Sequence, residues 1–193
     1  MSPLILASTS PYRKELLERL MIPFQTHDSQ VDEDQFKNDI SDPLVLTKTL
    51  AFEKAKSVFN HKDDSYIIGG DQIGLFENQI LGKPKTKENA VVQLRKLAGK
   101  THELITSTCI LGPNGFVYEW TNHTTLRMRS LTLEEIKRYI DKDDPLNCAG
   151  SYKIESVGIS LFESIQTEDS TAIVGLPLIE LSKVLRTLGF ELP

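Results

Sequence analysis

Residues 4–13 read L-I-L-A-S-T-S-P-Y-R, and this stretch decides the fold class. The short apolar run at 4–7 reads as a buried strand. Ser10 then offers an N-cap, and Pro11 sits at the first helical position, where its missing N–H leaves nothing unpaired. Leu16, Leu17 and Leu20 give that helix an apolar face down to about Met21. A buried strand handing over to a helix through a polar turn opens an α/β chain.

The pattern continues in both element types. A short strand is expected at 24–26. Residues 28–42 hold Asp28, Asp32, Glu33, Asp34, Asp39 and Asp42 against Lys37, and read as an acidic loop. Asp42-Pro43 starts a second helix with Leu46, Leu50, Ala51 and Ala55 as its inner positions. A strand at 66–70 ends at the pair Gly69-Gly70. Residues 74–76 and 79–81 form a hairpin around Glu77-Asn78. Thr86 caps a helix running to about Leu97 and ending near Gly99. Long strands at 103–111 and 116–127 are joined by the turn at 112–115. Thr132-x-x-Glu135 is a capping box opening a helix to about Asp141. A strand at 157–162 and a final amphipathic helix at 178–188, stopped by Gly189, complete the chain. The sum is α/β: a mixed sheet flanked by helices, in two lobes around a cleft, without a strict βαβ rhythm or an internal repeat.

Composition narrows the function. The 193 residues carry 39% hydrophobic and 25% charged side chains, an ordinary globular balance that excludes general disorder. The net charge of −5 argues against long nucleic acid as a partner, since neutralising many phosphates takes a basic excess. A small phosphorylated ligand needs only a few local cations. No apolar run reaches the ~18 residues of a membrane span, and the first residues lack a basic leader and a long enough apolar core for a secretory signal. Cys109 and Cys148 stand in no CxxC pattern, which favours a reducing cytoplasm over a disulfide framework. His27, His61, His102 and His123 form no zinc-binding spacing.

Several short segments have the composition of a site. Ser8-Thr9-Ser10-Pro11-Tyr12-Arg13 places hydroxyls and a guanidinium at a helix N-terminus, where backbone N–H groups attract anions. Gly69-Gly70-Asp71-Gln72 places a carboxylate at a predicted strand end, where α/β proteins keep reactive groups. Val31-Asp32-Glu33 offers hard oxygens to a cation such as Mg²⁺. Glu53-Lys54-Ala55 and Gly82-Lys83-Pro84 each present a lysine. Read alone, each admits a plain structural role: an N-cap, a turn aspartate, a solvated acidic loop, two surface lysines. Residues 148–155 and 174–177 read as packing loops, and Cys148 has no histidine near it in sequence.

Together the motifs resemble the Maf family of nucleoside triphosphate pyrophosphatases. The resemblance rests on S-T-S-P-Y-R at 8–13, V-D-E at 31–33, E-K-A at 53–55, G-G-D-Q at 69–72, G-K-P at 82–84, A-G-S-Y-K-I-E at 149–155 and V-G-L-P at 174–177, in the family's order and over nearly the whole chain. It implies one domain over 1–193 with a fold like that of inosine triphosphate pyrophosphatases (Maf/Ham1-like). It also implies cleavage between the α and β phosphates, with a divalent cation, Mg²⁺ or Mn²⁺, as cofactor. Carried over residue by residue, Asp71 matches the general base and Glu33 an acidic metal position, with Asp71 also at the metal. Ser8, Arg13, Lys54 and Lys83 match phosphate-binding positions. Tyr12, Gln72 and Glu155 match the branch that hydrolyses 7-methyl-GTP; the dTTP/UTP branch has a small hydroxyl after the aspartate and Gln in place of Glu155. Gly70 stands where serine or alanine is common, a change expected to leave the site intact. An unperturbed aspartate, with a pKa of about 3.9, would be ionised at pH 7 and able to act as base or ligand. A dTTP/UTP pyrophosphatase and a nucleotide-binding regulator of septum formation are the alternatives, and a homodimer is left open.

Overall fold

The structure is a computed structural model describing residues 2–59 and 64–193; His61 lies outside the described residues. The chain runs β1 (Leu4–Ala7), α1 (Pro11–Glu18), β2 (Gln25–His27), α2 (Glu33–Asp39), α3 (Pro43–Val58), β3 (Tyr66–Phe76), β4 (Gln79–Leu81), α4 (Lys87–Leu97), β5 (Thr101–Leu111), β6 (Val117–Met128), α5 (Leu133–Asp143), β7 (Phe162–Gln166) and α6 (Leu178–Thr187). The strands form a seven-stranded sheet in the order β2-β1-β3-β5-β6-β7, with β4 paired to β3. Parallel pairs (β1 with β2 and β3) and antiparallel pairs (β3–β4, β6–β7) coexist, so the sheet is mixed. By contacts the chain divides into two compact units. The first holds the chain up to Gln72 with Thr106–Asn122 and Asp169–Pro193; the second holds Ile73–Ile105 and His123–Glu168.

In the first unit, alternation along the strands sorts side chains between two faces. Leu4, Leu6, Ile68 and Ile110 join Leu16 and Leu17 of α1 and Leu181 and Leu185 of α6 in one core. Ala7, Ile67, Cys109 and Leu111 join Ala51 and Ala55 of α3 in another. A strand buried on both faces needs an unbroken apolar run, which is why L-I-L-A reads as it does. In the second unit α4 packs against α5, burying Ala90, Leu94 and Leu97 on one helix and Ile136, Tyr139 and Ile140 on the other. The hairpin pairs Gly74 with Leu81, and both turn residues have positive φ, 48° at Glu77 and 61° at Asn78, which makes it type I′. The capping box at Thr132 and Glu135 forms as the sequence indicates.

Three segments differ from the sequence reading. The acidic stretch 28–42 is not all loop. Asp32 accepts a hydrogen bond from the Asp34 N–H and caps α2, Glu33 and Asp34 favour its first turn, and Lys37 pairs with both one turn later. The strand at 66–70 does not stop at its glycines. Neither has positive φ, and β3 runs on to Phe76. Residues 157–161 form 3₁₀ turns ahead of a strand that begins only at Phe162. A Cβ at Gly158 would lie 2.3 Å from the Lys153 carbonyl oxygen, so the glycine lets the chain fold back onto that backbone instead of extending.

Candidate active site

The first unit brings Arg13, Glu33, Lys54 and Asp71 together, and Gly69 is the reason. It shares the α3 side of β3 with Ile67 and Asp71, two residues apart each way. A Cβ there would lie 2.1 Å from the Ala51 carbonyl oxygen and 2.7 Å from the Ala55 nitrogen, so α3 rests directly on the strand. Lys54 shares that helix face with Ala51 and Ala55. Its Nζ donates to Asp71 Oδ1 at 2.7 Å and to Glu33 Oε1 at 2.7 Å. Glu33 Oε2 in turn takes Lys37 at 3.0 Å. The result is an ion chain Lys37–Glu33–Lys54–Asp71, exposed at its outer end and buried at Asp71, whose residue exposure is 6%.

Asp71 sits within β3 rather than at its end, as the sequence reading had it. The parallel pairing of β1 to β3 reaches only Leu6 and Ile68, however, so Asp71 projects past the carboxyl end of the neighbouring parallel strand. Ser8 follows that same strand end. Its Oγ accepts from the Ser10 N–H at 3.1 Å, and Ser10 Oγ accepts from the Arg13 N–H at 3.4 Å. This is the position at which open α/β sheets bind ligands.

Arg13 reaches the cluster from the opposite face. Its guanidinium lies against Gly70, where a Cβ would stand an unstrained 3.6 Å from Nε, so alanine would also fit. Nε donates to the Gly175 carbonyl at 2.9 Å. Gly175 has φ 115°, and a Cβ on it would press on the guanidinium at 3.3 Å, so both backbone and space call for glycine. Gln72 and Asp169 hold this anchor. Gln72 Nε2 donates to the carbonyls of Ala172 at 2.8 Å and Ile173 at 3.0 Å and to Thr106 Oγ1 at 2.9 Å. Asp169 Oδ2 accepts from the Ile179 N–H at 2.7 Å, and Thr171 Oγ1 accepts from the Leu178 N–H at 2.8 Å, capping α6 from a distance. V-G-L-P thus fixes an arginine, a task invisible in the sequence. Gln72 Oε1 takes part in none of these bonds, and Tyr12 is half-buried in the first turn of α1.

Burial pushes the Asp71 carboxyl above its ordinary value, against the pull of Lys54 and Arg13; Glu33 adds to the rise. Asp71 is therefore perturbed, contrary to the unperturbed value used with the sequence. Burial also works upward on Glu33, but Lys54 and Lys37 outweigh it and hold that carboxyl at about 2. Burial pulls Arg13 down while Asp71 and Glu33 hold its charge. An ammonium has three donors, so Lys54 keeps one for a phosphate oxygen after serving both carboxylates. Asp71 keeps Oδ2 outside the ion pair.

Among the described residues no group of three or more His, Cys, Asp or Glu gathers as a metal cage. Glu33 and Asp71 offer two hard carboxylates, the number Mg²⁺ takes when substrate phosphates and water fill its remaining positions. The donor set thus suits Mg²⁺ or Mn²⁺ and not a structural zinc site.

Lys83 and Glu155 belong to the second unit. Both are exposed, Lys83 in the loop after β4 and Glu155 in the turn after Tyr152. Sequence reasoning missed Lys37, Thr106 and the Gly175 carbonyl, whose parts depend on tertiary contacts.

A family model described as Maf-like protein matches residues 3–188. A 7-methyl-GTP pyrophosphatase of Xanthomonas axonopodis pv. citri is 44% identical over 193 residues, all of both chains. One of Bdellovibrio bacteriovorus is 47% identical over 183 residues, 94% of this chain and 95% of the other. Among solved structures, the Ham1 protein of Staphylococcus aureus is similar with a TM-score of 0.42 and 12% identity, over 65% of this chain and 71% of that one, too loose a likeness to add to the others.

Proposed function

Because the chain belongs to the Maf family, we propose that it is a nucleoside triphosphate pyrophosphatase that hydrolyses 7-methyl-GTP to 7-methyl-GMP and pyrophosphate and so clears a modified nucleotide. The observation that carries this reading is the buried Lys54–Asp71 pair flanked by Arg13 and Glu33. A buried carboxylate with two cations beside the end of a parallel strand supports a base acting there. The full-length relatives named for this activity supply the substrate.

In this reading Asp71 Oδ2 takes a proton from a water molecule whose oxygen attacks the α-phosphorus. The bond from that phosphorus to the bridging oxygen breaks, and its electron pair leaves with pyrophosphate. Lys54 orients Asp71 and gives its remaining donor to a phosphate oxygen. Arg13, held by Gly175, forks onto the triphosphate, and Ser8 and Lys83 add further contacts. Glu33 and Asp71 would hold a divalent cation, which when bound neutralises triphosphate charge. N7 methylation leaves guanine cationic. Tyr12 offers it an aromatic face worth ~0.5–2 kcal/mol, Glu155 a carboxylate for its edge, and Gln72 Oε1 an acceptor.

The enzyme works in the cytoplasm. Cys109 and Cys148 form no disulfide, and burial pushes the Cys109 thiol up to about 12. No helix among the described residues is long and apolar enough to cross a membrane. The test is a pyrophosphate-release panel over 7-methyl-GTP, GTP, dTTP and UTP with Mg²⁺ or Mn²⁺, repeated after EDTA. The expected result is a much higher kcat/KM for 7-methyl-GTP and no turnover without a cation. A preference for dTTP or UTP would move the chain to that branch, and binding without turnover would make it a regulator.

A further inference from the structure

The second unit carries two segments to which the proposed function gives work, the Lys83 loop and the Glu155 segment. They lie far apart in sequence, and one side chain joins them. Gln93 stands on α4, and its Nε2 donates to the Gly82 carbonyl at 3.1 Å. Its Oε1 accepts a hydrogen bond from Ser151 Oγ. One amide therefore bonds the residue before Lys83 and a residue four positions before Glu155.

Both segments have backbones that need holding. Ser151 is fully buried with φ 62°, next to Gly150 with φ 77°. Glycine takes that conformation freely, but Ser151 in the left-handed region costs energy unless neighbours fix it. Lys85, at the end of the other loop, has φ 64°. Asn89, one helical turn before Gln93 on α4, donates from Nδ2 to the Pro84 carbonyl at 3.0 Å, and the Lys85 N–H donates to Leu146 at 3.0 Å. The far side of the 149–155 segment is held as well. Tyr152 OH pairs with His102 Nε2 at 2.9 Å, and the Lys153 N–H donates to Tyr139 OH at 2.9 Å. Those contacts hold one segment each; Gln93 bonds both.

We propose that Gln93 is a positioning residue that holds the phosphate-binding Lys83 loop and the Glu155 specificity segment in one arrangement. The proposal rests on the function proposed above. A role confined to folding would lower stability without altering substrate choice. A positioning role moves KM and selectivity while kcat per folded molecule stays close to wild type.

The test compares Gln93→Leu and Ser151→Ala with the reference variants Lys83→Ala and Glu155→Gln, reading kcat and KM for 7-methyl-GTP and GTP well below the melting temperature. Gln93→Leu is expected to raise KM for both nucleotides roughly tenfold, as for the loss of two hydrogen bonds, with kcat changed less than about threefold. It should also narrow the preference for 7-methyl-GTP. Ser151→Ala cuts only the tie to the Glu155 segment and should narrow the preference with a smaller effect on KM. The double variant should be no less selective than Gln93→Leu alone. If Lys83→Ala and Glu155→Gln both behave as wild type, the underlying functional reading falls and the proposal with it. If the reference variants shift but Gln93→Leu changes only stability, the proposal alone is overturned. Should Gln93→Leu fail to fold, an unchanged selectivity in Ser151→Ala overturns it equally.

Discussion

Substituting alanine at each of two adjacent glycines separates packing from chemistry. A Cβ at Gly69 would lie 2.1 Å from the Ala51 carbonyl oxygen, 2.7 Å from the Ala55 nitrogen and 2.9 Å from Ala55 Cβ. These are backbone and near-backbone atoms of α3, with no flexible tip to swing aside. The helix must retreat by about 1 Å to clear them, an overpacking cost of ~1–3 kcal/mol. The retreat carries Lys54 with it and stretches the 2.7 Å contact to Asp71 towards the limit of a hydrogen bond. Misplacing reacting groups by that distance costs on the order of 10²-fold in rate. Gly70→Ala is the control. Its Cβ would meet Arg13 Nε at 3.6 Å, ordinary contact, and stability should stay within ~0.5 kcal/mol. Urea denaturation gives the stability difference, and kcat/KM on 7-methyl-GTP gives the catalytic one. The reasoning is refuted if Gly69→Ala matches wild type in both, or if Gly70→Ala is the more damaging of the two.

Asp71→Asn should lower turnover by ~10²–10⁴-fold while nucleotide binding, read by calorimetry, survives, because the amide cannot take the proton. Burial raises the Asp71 carboxyl, so wild-type kcat should fall as pH drops through that raised value, and this limb should vanish in the variant's residual rate. Lys54→Met leaves a buried carboxylate without its cation and should destabilise the fold by about 3 kcal/mol in urea denaturation; unchanged stability would show that the pair is not formed. Glu33 is lowered from 4.5 to about 2, so its contribution to stability is present above pH 4.5 and lost as pH falls towards 2. Across that window the denaturation midpoint of wild type should fall more steeply than that of Glu33→Gln, and parallel curves would remove Glu33 from the ion chain.

The parts of this fold legible in the sequence are those written in local chemistry. Ser10-Pro11, Thr86 and the Thr132–Glu135 box announce three helix starts, and Glu77-Asn78 announces a hairpin. Helix α2 escaped because its stabilising groups, Asp32, Glu33, Asp34 and Lys37, are the same charges that make a solvated loop. The glycine pair is ambiguous in sequence because glycine serves turns and close packing alike; Gly69 packs against α3, a contact no local pattern records. The motifs marked Arg13, Lys54 and Asp71 as candidates but not their arrangement. Arg13 takes its anchor from Gly175, 162 residues away, and Lys54 meets Asp71 across 17. Such pairings exist only once a helix is laid on a strand. In the same way the partners of Gln93, Gly82 and Ser151, lie 11 and 58 residues away, so no local pattern announces its part.

The central claim is that water attacks the α-phosphorus of 7-methyl-GTP and pyrophosphate leaves. Its most direct test is product analysis after turnover in ¹⁸O-labelled water, read by mass spectrometry. The account predicts 7-methyl-GMP carrying the label and unlabelled pyrophosphate. Label in the pyrophosphate, or release of inorganic phosphate with 7-methyl-GDP, would contradict it.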